Sequence, residues 1–194
     1  MSEISKKIDE IVNLGLAPLL KEHGFKKKAR NFYREHEDRI DLINVQASQF
    51  NAGAEGQFTV NVGVYFPAIS AITDALPVKG MPKEYDCTAR ERIGLLSSDN
   101  RDTWWSVDDS VDTNNMAAEL ASSVESLCLP WLAKMADLEN LKLEAKKKIP
   151  FIAAGISLHQ GNRSEAKAYL EQSIKQKPLA KSRTMAWGKK HGLV

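Results

Sequence analysis

The sequence has little cysteine, no long apolar run and no marked excess of either charge. Two cysteines in 194 residues, Cys87 and Cys128, are too few for a disulfide framework. They fall in segments that read as a strand and a helix, so both are expected to be buried small hydrophobes. No apolar stretch approaches the roughly 18 residues that span a bilayer as a helix. A net charge of +2 is small for a dedicated nucleic-acid binder, whose basic excess gathers on one face. The four histidines, His23, His36, His159 and His191, stand in separate segments without metal-ligand spacing. There is no Gly-rich phosphate loop, nucleophile elbow or zinc motif. Catalysis therefore has no sequence signature, and no cofactor or metal is called for. The stretch MSEISKKIDEIVNLG lacks the apolar core and cleavage site of a signal peptide, so a cytoplasmic protein is expected.

What is present is an ordinary globular composition, 43% hydrophobic and 27% charged, enough to bury a core without staples. Ile4, Ile8, Ile11, Val12, Leu16, Leu19 and Leu20 recur at helical steps. Pro18 predicts a kink or break near Gly15, and Gly24 stands where a left-handed C-terminal cap belongs. From Asn31 the period changes to two. NFYREH, DRIDLINVQASQF, QFTVNVGVYFP and DCTARERIGLL read as successive strands. In the third, Phe58, Val60, Val62, Val64 and Phe66 point one way, and Thr59, Asn61, Gly63 and Tyr65 the other. Ile43, Val45 and Ala47 share the oily face, opposite Asn44, Gln46 and Ser48. The excursion from Ala68 to Asp86, with a short helix through Ile69, Ile72 and Leu76, is too long for a hairpin. It is expected to cross the sheet or form a lid.

After Asp112 the pattern is helical. Met116, Leu120, Val124, Leu127, Leu132 and Met135 share a face, with Thr113 or Asn114 as N-cap and Pro130 as a stop or kink. The charged segment from Glu139 to Lys148 reads as a linker-like helix. A helical hairpin follows, turning at HQGNRS with Ser164 or Asn162 as second cap. Its Ala166, Leu170, Ser173 and Pro178 have the spacing of half a tetratricopeptide repeat, in a single copy that packs on its own domain. The expected fold is α+β. Helices cover one face of an antiparallel sheet of four or five strands over residues 1–137, and a helical extension spans 138–194.

The segments LLKEHGFKKKARNFYRE, INVQASQF, FTVNVGVYFP, ERIGLL and TWWSVDD, in that order, resemble a bacterial domain of unknown function, family 4304. The resemblance spans roughly residues 5–135. It implies an intracellular bacterial α+β domain, and it carries over no catalytic residue.

Three constellations hold candidate chemistry. Lys26, Lys27, Lys28, Arg30 and Arg34, with Phe32 and Tyr33, could hold phosphates and bases. Yet Glu35, Glu37, Asp38 and Asp41 follow at once, and alternation sends the two rings to opposite faces, so nucleic acid is disfavoured against a solvated helix exit leading into an edge strand. Asp108, Ser110, Asp112, Asn114 and Glu119 mimic a calcium loop, but Thr113 replaces its turn glycine, and helix capping is the simpler reading. The polar sheet face is the third. Asn44, Gln46, Asn61, Tyr65, Arg90 and Arg92 should project together, with one of Trp104 or Trp105, around a gap left by Gly63. The leading expectation is a non-enzymatic module that binds another protein, since Trp on an open face marks contact surfaces. The alternative is a binder of a small molecule or anion, possibly catalytic, on that face.

Overall fold

The computed structural model describes residues 2–194. In chain order its main elements are α1 (Glu3–Leu14), α2 (Leu16–Glu22), β1 (Lys26–Lys28), β2 (Asn31–Glu35), β3 (Ile40–Ala47) and β4 (Gly56–Tyr65). Then come α3 (Pro67–Ile72), β5 (Ala89–Arg92), β6 (Trp105–Val107), α4 (Thr113–Ser123) and α5 (Leu129–Met135). The chain ends with α6 (Leu138–Lys148), α7 (Pro150–His159), α8 (Arg163–Gln176) and α9 (Lys181–Lys190). It divides into two compact units. One holds the residues up to Tyr65 with Pro82–Ala133, and the other holds Phe66–Met81 with Lys134–Val194. Among the described residues, no helix is long and apolar enough to cross a membrane.

The first unit is the expected α+β arrangement. Its antiparallel sheet runs β1-β2-β3-β4-β5, with β6 also paired to β4. Six strands stand where four or five were expected, because Lys26–Lys28 is itself a strand. The helix pair before it breaks at Gly15 as Pro18 requires, and Gly24 leaves α2 with φ +80°, a conformation costly for any side chain. Ile8, Ile11, Leu16 and Leu20 then meet Phe32, Ile43, Val45, Phe58, Val60 and Val62 in a single core, closed by Leu120 and Leu132. This is one amphipathic stripe laid on one pleated face, and its apolar burial is the main stabilising term. Asp112, one residue before the expected caps, accepts from the amides of Asn114 and Asn115 at 2.9 and 3.1 Å. Between α4 and α5 the helix widens into a π turn, Val124–Cys128. Pro130 lacks an amide hydrogen and crowds the turn before it, and a wider turn absorbs both defects without a break.

The second unit packs helices around Ala154, Ala166, Leu170, Trp187 and Leu193. The excursion contributes α3 to it: the Trp187 indole donates to the Ile72 carbonyl at 2.7 Å. Leu76, placed on that helix by its spacing, lies beyond it and is exposed. The α7–α8 hairpin forms at the expected turn, capped by Asn162. The linker reading of α6 is corrected. Lys142 is only 5% exposed, and its ammonium donates to Glu139, Gln160 and Glu165 at 3.0, 3.0 and 2.8 Å. A buried lysine so fully paired belongs to a packed helix.

Candidate functional site

The register builds the polar face. Asn31, Asn44, Asn61 and Arg92 form one rung across β2, β3, β4 and β5. The next rung is Tyr33, Leu42, Gly63 and Arg90, and Gln46 lies opposite Thr59. Directly paired residues share a face of a sheet, so these side chains lie together, as the alternation predicts.

The centre of this face is closed, although Gln46 and Arg90 at its edges are exposed and Asn44 is half-buried. Asn61 is 7% exposed and Thr59 is fully buried. The amides satisfy one another: Asn44 Nδ2 donates to Asn31 Oδ1 at 2.9 Å, and Asn61 Nδ2 donates to Asn44 Oδ1 at 3.0 Å and Gln46 Oε1 at 2.9 Å. Thr59 donates to the Thr103 carbonyl at 2.7 Å, so the chain before β6 lies over it. The gap at Gly63 is filled as well. A Cβ built there would stand 2.6 Å from Cys87 Sγ. Cys87 is partly rather than fully buried, and burial, then Glu84 and Asp86, push its thiol up to about 12. It is therefore a poor nucleophile, as is the fully enclosed Cys128, raised by burial alone.

What remains open is a cleft of about 220 Å³ lined by Gln46, Asn61, Arg90, Glu91, Arg92 and Leu95. Asn44 does not reach it. Arg92 pairs with Asp102 and lies 5.2 Å from the centre of the Trp104 ring, whose indole donates to the same carboxylate at 3.0 Å. Arg90 pairs with Glu84 at 3.2 Å. Glu84, Glu91 and Asp102 thus balance the two guanidinium groups, and the cleft is not strongly cationic.

Two expected members do not join. Tyr65 shares the face but is buried beside Ile40. Trp105 pairs with Phe58 and points into the core, stacked on it at 5.6 Å, with its indole donating to Glu119 at 3.0 Å. Of the adjacent tryptophans only Trp104 comes near the cleft, through its contact with the lining residue Arg92. Asp102, Glu91 and Leu95 were not singled out from the sequence. Asp102 carries no pattern that marks it. Leu95, three residues past the end of β5, lies in a short 3-10 turn, Ile93–Leu96, where strand alternation would have sent it to the other face.

The other two constellations are engaged internally. Lys27 donates to Asn13 at 2.6 Å, Arg30 binds Asp9 and Ser5, and Lys26 pairs with Glu35 at 3.7 Å. Phe32 and Tyr33 are both buried, on opposite faces. Arg34 and His36 bind the fully buried Asp41 at 2.9 and 2.8 Å, and Arg39 adds a contact at 3.3 Å. In the acidic loop, Asp108 accepts from the amide and hydroxyl of Ser110, and Glu119 holds Trp105.

A family model described as a domain of unknown function, DUF4304, matches residues 16–134. No curated protein and no solved structure matches the chain.

Proposed function

Because the chain belongs to the DUF4304 family, whose description assigns no activity, we propose a role from the surface itself: a non-enzymatic module that recognises another protein at the rim of the β5 cleft. One observation carries this reading. The amides and charges of the polar face are already bonded to each other, whereas the rim turns apolar surface outward. Leu95, in the lining, is 39% exposed, the half-buried Trp104 lies against Arg92, and Tyr85, 61% exposed, follows Glu84, the partner of Arg90. β5 pairs with β4 alone among the described residues. Tyrosine, tryptophan and arginine around a recess are the composition of an interface centre. The same reading takes the protein to be bacterial and cytoplasmic, and its α7–α8 hairpin to be tetratricopeptide-like.

The test is a photo-crosslinking amino acid at Tyr85 in the native host, with Phe50 as control. A discrete product at Tyr85, lost on Leu95→Asp, is expected. Equal products at both positions, or none, would contradict it. A second reading, a small polar ligand, is favoured by the cleft itself, although about 220 Å³ falls short of the roughly 300–1,000 Å³ of enclosing pockets. Thermal stabilisation by a metabolite or anion would select it, since binding to the folded state alone raises stability.

A further inference from the structure

The second unit carries a different kind of surface. A groove of about 230 Å³ is lined by Ile149, Pro150 and Phe151 at the start of α7, and by Lys177, Ala180 and Arg183 around the turn into α9. Phe151 is backed by Trp187, edge to face at 4.9 Å, so this wall is rigid. Ile149 is 44% exposed at the rim, and Leu179, next in sequence to the lining residue Ala180, is fully exposed. No carboxylate lines the groove. From Gln172 to Val194 the chain holds six lysines and arginines and no aspartate or glutamate. The whole chain is only +2, so the rest of the molecule is net acidic and the basic charge is concentrated here.

We propose that this groove binds an acidic peptide segment of a partner protein through one apolar anchor side chain. The concave apolar lining excludes water around such an anchor, and its volume suits a side chain rather than a whole ligand. Lys177 and Arg183, both exposed, flank the recess and attract glutamate or aspartate on either side of the anchor. A nucleic acid would meet the charges but has no aliphatic group for the recess. A flat lipid surface would leave the recess empty.

The probe is a fluorescein-labelled peptide with a leucine–phenylalanine pair between glutamates, read by anisotropy against the full chain. The controls are the same peptide with alanines at the centre, anionic phosphatidylserine vesicles and poly-uridine RNA. Binding is expected to fall about tenfold for the alanine peptide and for Lys177→Glu, and to weaken with salt. Ile149→Asp keeps the test free of folding artefacts. Ile149 is at once the N-cap of α7, where aspartate is preferred, and the C-cap of α6, where it is disfavoured, so melting temperature should change little while peptide binding falls. No binding, equal binding of the alanine peptide, indifference to both substitutions, or tighter retention on vesicles or RNA would each overturn the proposal.

Discussion

The two faces of β4 are both buried, by different means. Val60 and Val62 are fully enclosed by α1, α2 and α4 in an apolar core. Asn61, between them and facing away, is almost as enclosed, but by Asn44 and Gln46, which spend their hydrogen bonds on it. A period of two therefore reports which side chains share a face, and not which face meets water. The second unit adds a third way, a lysine on α6 bonded to carboxylates on α6 and α8 and to Gln160 just after α7. Amides hold without regard to pH, whereas the ionic cluster cannot.

The sharpest contrast comes from Phe58→Ala. It removes a buried ring stacked on Trp105 and should cost about 3–5 kcal/mol in denaturant unfolding. A loss below that of any polar-face variant would reverse the ranking of the two faces. Asn61→Ala should cost about 1–3 kcal/mol, because the enclosed site loses its amide and the half-buried Asn44 oxygen its donor, while the exposed Gln46 turns to water. If the face were open, water would replace the amide and the loss would be slight. Gly63→Ala belongs to the same range, about 1–3 kcal/mol, since the new methyl group collides with Cys87.

The ionic cluster separates from the amides on a pH axis. The Lys142 ammonium donates to Glu165 and holds its carboxyl below the usual carboxylate range, against an opposing effect of burial and with help from Ser157. A lowered folded pKa gives stability that is complete above the ordinary value, about 4.3, and is lost as pH falls through the folded one. Glu165→Gln should therefore flatten the acid limb of the stability curve, while the Asn61→Ala loss stays constant between pH 4 and 7. The smallest effect is Trp104→Ala: within about 0.5 kcal/mol in stability, yet abolishing the crosslink at Tyr85.

Much of this architecture can be read from local pattern. The alternation from Gln57 to Phe66, the break at Gly15, the turn at Gly24 and the cap at Asn162 each rest on a few neighbouring residues, and each has its expected geometry. The rest depends on partners distant in sequence. Asn61 is closed by residues 15 and 17 positions away. Lys142 looks like a solvated charge until Glu165, on α8, comes beside it. Trp104 and Trp105 differ only in which of them pairs with Phe58, a matter of register that composition cannot supply.

Side-chain amide exchange by NMR tests the closed polar face most directly. The Asn61 Nδ2 protons should exchange with solvent far more slowly than those of an exposed amide such as Asn100, and Asn44→Ala should release them. Exchange of Asn61 as fast as Asn100 in the unaltered protein would mean that this face is open to water, and the account of how it is closed would fail.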